Sequence, residues 1–246
     1  MVKLAFGVEP SNRKFRLRLA RYAYLARTLA EFLPEGPSRV LDTGCGKGRV
    51  GLYWRHMGPP EKRPSFVGLD LSPNRLGMAQ ARGYDQILRC DLLQRWPLVD
   101  ESFDAVVCEQ VLEHFGDEDV RYLLSEMRRV LKPGGFALIG TPVFSRFALW
   151  LSPIWKRINP IFERMRGRQP AHLQHFLLEE LARRIEGQGL LPERKCGFRL
   201  FSLPRSCLED YEWYYRVHRW LGARWPGLCI EANVLARKPR YSAAGS

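Results

Sequence analysis

The chain has 246 residues, enough to bury one sizeable core, and its 46% hydrophobic and 12% aromatic content excludes a disordered or fibrous protein. No apolar run approaches a membrane span, and Met1 to Pro10 lacks the apolar stretch of a signal peptide, so a cytoplasmic protein is expected, with peripheral attachment to the inner face of a membrane left open. The formal charge of +13 favours an anionic partner, while the six cysteines form no C-x-x-C pair and read as reduced thiols.

In chain order, residues 11–33 place Phe15, Leu19, Tyr22, Ala26, Leu29 and Leu33 at steps of four and three, which predicts an amphipathic helix. Its basic residues Arg13, Lys14, Arg16, Arg18, Arg21 and Arg27 read as a solvated face. Short apolar runs then alternate with helical stretches. Strands are predicted at Arg39–Asp42, Phe66–Asp70, Gln86–Cys90, Phe103–Glu109 and Gly135–Thr141, and helices at Gly48–Met57, Pro73–Arg82 and Asp117–Leu131. The last helix is stopped by Lys132-Pro133-Gly134-Gly135. Such alternation implies a parallel, doubly wound α/β sheet.

An aromatic and basic stretch interrupts the alternation after Thr141, before a helix at Leu177–Gly187. Two further strands, Arg194–Ser202 and Leu228–Ala236, flank a Tyr- and Trp-rich segment at Leu208–Leu221 and predict an antiparallel hairpin added to the sheet.

The run Val40-Leu41-Asp42-Thr43-Gly44-Cys45-Gly46-Lys47-Gly48 is a strand entering a glycine turn that opens a helix. In doubly wound folds this turn borders the crevice for a nucleotide-like ligand, because glycine lets the backbone approach closely. A glycine turn alone is a weak signal. Asp70 ends the second strand, where a carboxylate can accept from both ribose hydroxyls. Asp91, after the third, can accept from the exocyclic amine of adenine while the Leu92 amide faces a ring nitrogen. A nicotinamide fingerprint would need glycine or alanine where Arg49 stands.

Taken in order, VLDTGCGKGRV, FVGLDLSPNRL, CDLLQRWPLVDESFDAVVCEQVLEHF and MRRVLKPGG resemble the successive motifs of the class I S-adenosylmethionine-dependent methyltransferases, over roughly residues 38–190. The resemblance implies a seven-stranded, mostly parallel Rossmann-like sheet with an antiparallel C-terminal strand, and S-adenosylmethionine as donor with S-adenosylhomocysteine as product. It implies that Asp42, Gly44, Gly46 and Gly48 surround the methionine part, that Asp70 with Leu71 meets the ribose, that Asp91 with Leu92 meets the adenine, and that Glu109 and Gln110 lie beside the methionine amino end. One domain over 1–246 is expected: a basic helix at 1–37, a cofactor-binding core at 38–142, an insert or lid at 143–176 and a substrate-side part at 177–238.

Methyl transfer from a sulfonium is an in-line displacement, so alignment of donor and acceptor supplies most of the acceleration. A phenol or hydroxyl acceptor must also lose a proton. His114, just beyond the fourth strand, is the candidate base or substrate contact; His172 and His175 are candidate substrate-side residues, with capping or packing the plainer reading. Glu113 and His114 are too few to complete a metal site, and no metal is expected.

In the insert, Phe144, Phe147, Leu151, Ile154, Trp155, Ile158, Phe162 and Met165 recur at helical spacing beside a basic edge, which suits a lid, a dimer face or contact with anionic lipid. An insert at this place, and the stretch CEQVLEH, resemble the ubiquinone-biosynthesis O-methyltransferases. Together these predict a small, hydrophobic acceptor methylated on oxygen at or near a membrane. A nucleic-acid methyltransferase is disfavoured, because Glu109-Gln110-Val111-Leu112 replaces the Asn/Asp-Pro-Pro-aromatic motif of base-amine methylases and no Pro-Cys nucleophile is present. A non-catalytic cofactor-binding protein is the remaining alternative. The sequence leaves the oligomeric state open.

Overall fold

Residues 16–143, 176–198 and 212–240 are described by a computed structural model. The strands are β1 (Arg39–Thr43), β2 (Ser65–Asp70), β3 (Gln86–Arg89), β4 (Phe103–Glu109), β5 (Leu131–Pro142), β6 (Leu191–Phe198) and β7 (Glu231–Arg237). The helices are α1 (Arg16–Phe32), α2 (Arg49–Met57), α3 (Pro73–Ala81), α4 (Asp117–Val130), α5 (Leu178–Gly187) and α6 (Glu212–Arg224).

The strands form one sheet in the order β3-β2-β1-β4-β5-β7-β6. The first five run parallel, and β7 is antiparallel to both its neighbours, β5 and β6. The strand order steps outward from β1 to β3 on one side and from β4 on the other. That reversal between β1 and β4 is where a doubly wound sheet opens a crevice at the carboxyl ends of its strands. β1 and β4 are buried almost throughout, with both faces of the sheet covered, as parallel strands require.

Two cores form, one on each face. Against one lie Ala23, Leu25, Leu29, Tyr53, Trp54 and Phe66. Against the other lie Trp96, Phe103, Leu123, Met127, Leu181 and Ile185. Removing each large side chain of this kind from water stabilises the fold by about 1.5–3 kcal/mol. Helix α4 carries Asp117, Glu118 and Asp119 in its first turn and Arg128 and Arg129 in its last, an arrangement that complements the helix dipole.

Three expectations are corrected. First, Arg21 is not on a solvated face: it is buried against the sheet, while Tyr22, Ala26, Leu29 and Leu33 are buried as the stripe predicted. Second, the helix stops at Val130, just before Lys132-Pro133-Gly134-Gly135 as expected, but the strand that follows starts earlier than Gly135. β5 begins at Leu131, paired to Phe103, and the Pro-Gly-Gly segment falls in an irregular stretch between the Phe103 and Ala105 pairings. Third, the closing strands do add an antiparallel pair to the sheet, β7 beside β5 and β6 at the edge, but β6 begins at Leu191 rather than Arg194, with a register shift between Pro192 and Arg194. A bulged, polar strand start carries little alternation to read.

Candidate functional site: a cleft at the carboxyl edge

The glycine turn after β1 is held to the end of β2 by one carboxylate. Asp70 Oδ2 accepts the Gly46 N–H at 2.9 Å, and Oδ1 accepts the Ser72 N–H at 2.8 Å. An ionised carboxylate offers about four lone-pair directions, so each oxygen keeps acceptor capacity toward the cleft. Gly44 sits at φ +66°, and a Cβ there would fall 2.7 Å from Val111 Cγ2. Gly48, at φ +71°, lies so close to α3 that its Cβ would come within 2.6 Å of the Ala79 Cα. Both positions therefore demand glycine for backbone conformation and for space.

Asp42 lies beneath this turn rather than in it. Its side chain is buried and accepts a hydrogen bond from the Tyr84 hydroxyl. Burial pushes its carboxyl up to about 7; the Tyr84 bond pulls down and the neighbouring Asp70 pushes up. Burial likewise raises the Tyr84 hydroxyl. The Tyr84 ring fills the slot left by Gly48, Gly51 and Gly68, where added Cβ atoms would lie 2.7 to 3.0 Å from ring carbons. Tyr84 is thus a strut under the glycine turn, and it was not singled out from the sequence.

The cleft in front of the turn has a volume of about 300 Å³, within the lower range of ligand pockets. Gly44, Asp70, Leu71, Asp91, Leu92, Gln110 and His114 all line it, so the edge of the sheet brings most of the expected residues together. Arg75, Cys90, Val111 and Phe115 complete the wall. Asp91 is exposed, and its Oδ1 accepts the Leu93 N–H at 3.0 Å, which fixes the turn after β3. The Leu92 carbonyl accepts the indole N–H of fully buried Trp96 at 3.0 Å.

Gln110 occupies the left-handed region at φ +57° directly after β4, a conformation that costs about 1–3 kcal/mol for a residue with a side chain. It is fixed by the Gln110 N–H bond to the Gly140 carbonyl at 2.8 Å. Its side-chain nitrogen is buried and has no hydrogen-bond partner among the described residues. A donor without a partner in the same cleft as the Asp70 and Asp91 carboxylates offers a polar ligand both a donor and acceptors.

His114 stands exposed on the rim in the short 3₁₀ turn Leu112–His114. Glu113 turns the other way, is buried, and accepts from the Thr141 hydroxyl at 3.2 Å; desolvation raises its carboxyl. The two therefore do not converge on one ion. Among the described residues no group of three or more His, Cys, Asp or Glu gathers as a metal site. His172 and His175, with the rest of residues 144–175, lie outside the described residues.

Glu109 turns from the cleft toward α1. Its Oε1 lies 3.1 Å from Arg21 Nε, and its Oε2 accepts from the Asn233 amide at 3.2 Å across Gly140. A Cβ at Gly140 would sit 1.9 Å from Glu109 Oε2, so this strand position must be empty for the two side chains to meet. Arg21 also donates from Nη1 to Glu231 Oε2 at 2.9 Å. Burial lifts the Glu109 carboxyl to about 7, with the Arg21 cation pulling down and Glu231 pushing up. This buried group of four was not anticipated, because its members are scattered across the chain.

Residues 41–139 match the family described as methyltransferase domain. Among curated relatives, the chain is 29% identical over 179 residues to the malonyl-[acyl-carrier protein] O-methyltransferase of Pseudescherichia vulneris, covering 73% of this chain and 64% of that protein. It is 36% identical over 126 residues to the tRNA (carboxymethyluridine(34)-5-O)-methyltransferase of Arabidopsis thaliana, covering 50% and 28%. The chain thus spans less than two thirds of the length of either relative. In fold it is similar to an S-adenosylmethionine-dependent methyltransferase of Archaeoglobus fulgidus, with a TM-score of 0.55 and 20% identity over 89% of this chain and 93% of the other.

Proposed function

We propose that this chain, which belongs to the class I S-adenosylmethionine-dependent methyltransferases, moves a methyl group from S-adenosylmethionine to an oxygen of a small hydrophobic acceptor at or near a membrane surface. The observation that carries the donor assignment is Asp70: a carboxylate at the end of β2, pinned by the glycine turn, lining one cleft with Asp91 and Gln110.

In this reading Asp70 accepts from the ribose hydroxyls, Asp91 and the amide of Leu92 take the adenine edge, and the glycine turn with Gln110 borders the methionine portion. The donor supplies an electrophilic methyl on a sulfonium when bound. What the chain contributes is position: two rigid strand ends and a left-handed Gln110 hold the cleft walls, and alignment of this kind is worth about 7–11 kcal/mol in favourable cases. His114, on the rim, takes the proton of a hydroxyl acceptor. Oxygen as the acceptor atom is supported by the two relatives, both named as methyltransferases acting on oxygen. The membrane setting is supported by the formal charge of +13 and by the basic, aromatic sequence between Phe144 and Arg168.

A second reading, an RNA acceptor, draws on the same charge and on the Arabidopsis relative. Calorimetric titration with S-adenosylmethionine and S-adenosylhomocysteine, with NAD as control, tests the donor. Binding of both adenosyl ligands and not of NAD is expected, and no adenosyl binding overturns the proposal. Donor turnover in the presence of tRNA but not of lipid-soluble phenols or acids selects the second reading.

A further inference from the structure

Helix α6 faces two environments. It packs on β6 through Tyr214, His218 and Gly222, the last so close that a Cβ would fall 1.9 Å from the Gly197 carbonyl oxygen. The opposite side carries Trp213, Val217 and Trp220, spaced four and three residues apart and all exposed, Trp220 to 64%. The apolar surface continues past the helix through Trp225, Leu228 and Ile230, with Leu228 exposed to 55%. Six large apolar side chains on one helix face and the turn behind it exceed the scattered exposure normal for a protein surface.

The patch has a basic border and a definite place. Arg216 and Arg224 are exposed at its flanks, and the Arg224 guanidinium lies 5.8 Å from the Trp225 ring centre. Across α6 three arginines stand against the single acid Glu212. The Val143 N–H donates to the Ile230 carbonyl at 2.9 Å, so the turn abuts the end of β5. β7 then starts at Glu231. The patch therefore reaches the edge of the sheet on which the adenosyl-type cleft opens.

We infer that this face of α6 and the Trp225–Ile230 turn seat the protein on an anionic lipid bilayer. The inference rests on the reading of a hydrophobic acceptor given above and adds the surface by which the protein meets its source. Tryptophan rings settle at the headgroup level, aliphatic side chains enter the acyl boundary, and arginines meet lipid phosphates. Nucleic acid fits less well, because Val217, Leu228 and Ile230 have no flat face on which a base can stack. A second copy fits less well too: a two-fold contact through this patch would bring its arginine border against the same border in the partner.

The test is co-sedimentation of the full chain with vesicles of phosphatidylcholine alone and of phosphatidylcholine mixed with phosphatidylglycerol, at low and high salt. Light scattering and calorimetric S-adenosylmethionine binding are run on the same samples. Binding to the mixed vesicles only, weakened by salt, reduced about fivefold by Arg224→Gln and more by Trp220→Ala with Leu228→Ala, is expected. Retained S-adenosylmethionine affinity in those variants shows that they are folded. Vesicle binding unchanged by the variants overturns the inference, as does sedimentation with neither vesicle. A variant-dependent loss of dimer, or protection of the patch by RNA in place of lipid, overturns it in favour of that partner. Loss of S-adenosylmethionine binding in the wild-type chain alongside intact vesicle binding overturns the methyltransferase reading alone.

Discussion

The two halves of the sheet edge hold their polar groups in opposite ways. Beside β1 and β2, the carboxylate of Asp70 is met by backbone N–H groups of nearby turns and keeps a side open to the cleft. Beside β4 and β7, Glu109 and Glu231 are buried around a guanidinium from a helix 210 residues away from Glu231 in sequence. Backbone amides cannot titrate or leave, whereas a buried ion pair holds only while both partners stay. The β1–β2 half is therefore built to be rigid, and the β4–β7 half is built to depend on how α1 docks.

Removing Arg21 tests that dependence most severely. Arg21→Ala leaves two buried carboxylates without their cation and should cost about 3–5 kcal/mol in urea denaturation. Arg21→Met combined with Glu231→Gln should recover part of the loss, and a silent single variant would equate the two halves. Asp70→Ala removes acceptor and anchor together, so the S-adenosylmethionine Kd should rise about a hundredfold by calorimetry. Tyr84→Phe should lower stability by about 1 kcal/mol in thermal unfolding, through Asp42 losing its donor.

The pH dependence of stability sharpens the comparison further. Asp42 and Glu109 both titrate near 7 in the folded protein, above their usual 3.8 and 4.5. Between those values the folded chain holds protons that the unfolded chain has released, so their contribution to stability falls as pH rises to about 7. Asp42→Asn and Glu109→Gln should each flatten that fall in denaturation series across the window. The smallest effect is expected at the surface: breaking the exposed Arg194–Glu31 pair, 2.6 Å apart, with Arg194→Ala should cost less than about 1 kcal/mol.

Legibility in the sequence followed the same division. Gly44, Gly46, Gly48 and Asp70 stand within a short span where strand, turn and strand end can be read from local pattern, and the cleft does gather Asp70, Leu71, Asp91, Leu92, Gln110 and His114. The resemblance implies a place for Asp42 around the methionine part, while in the structure its side chain faces Tyr84 beneath the turn. Alternation along a strand tells that a side chain changes face, and not what waits on the other face. Arg21 looked like one more member of a basic helix face, because the periodicity of α1 marks an apolar stripe and gives no sign of a carboxylate arriving from β7. The aromatic richness of Trp213 to Trp220 was visible as composition, but its exposure depends on Gly222 pressing the other side of α6 against Gly197.

The pairing of Val143 with Phe176 carries a consequence for how such a protein can change over generations. The chain leaves the sheet after Val143 and is back beside it at Phe176, so both ends of the intervening span are held at one place. A span bounded in this way can lengthen, shorten or be exchanged without altering the register of β5 against β4 or β7. On the proposed reading, chimeras cut at Val143 and Phe176 should keep adenosyl binding whatever sequence they carry between those points.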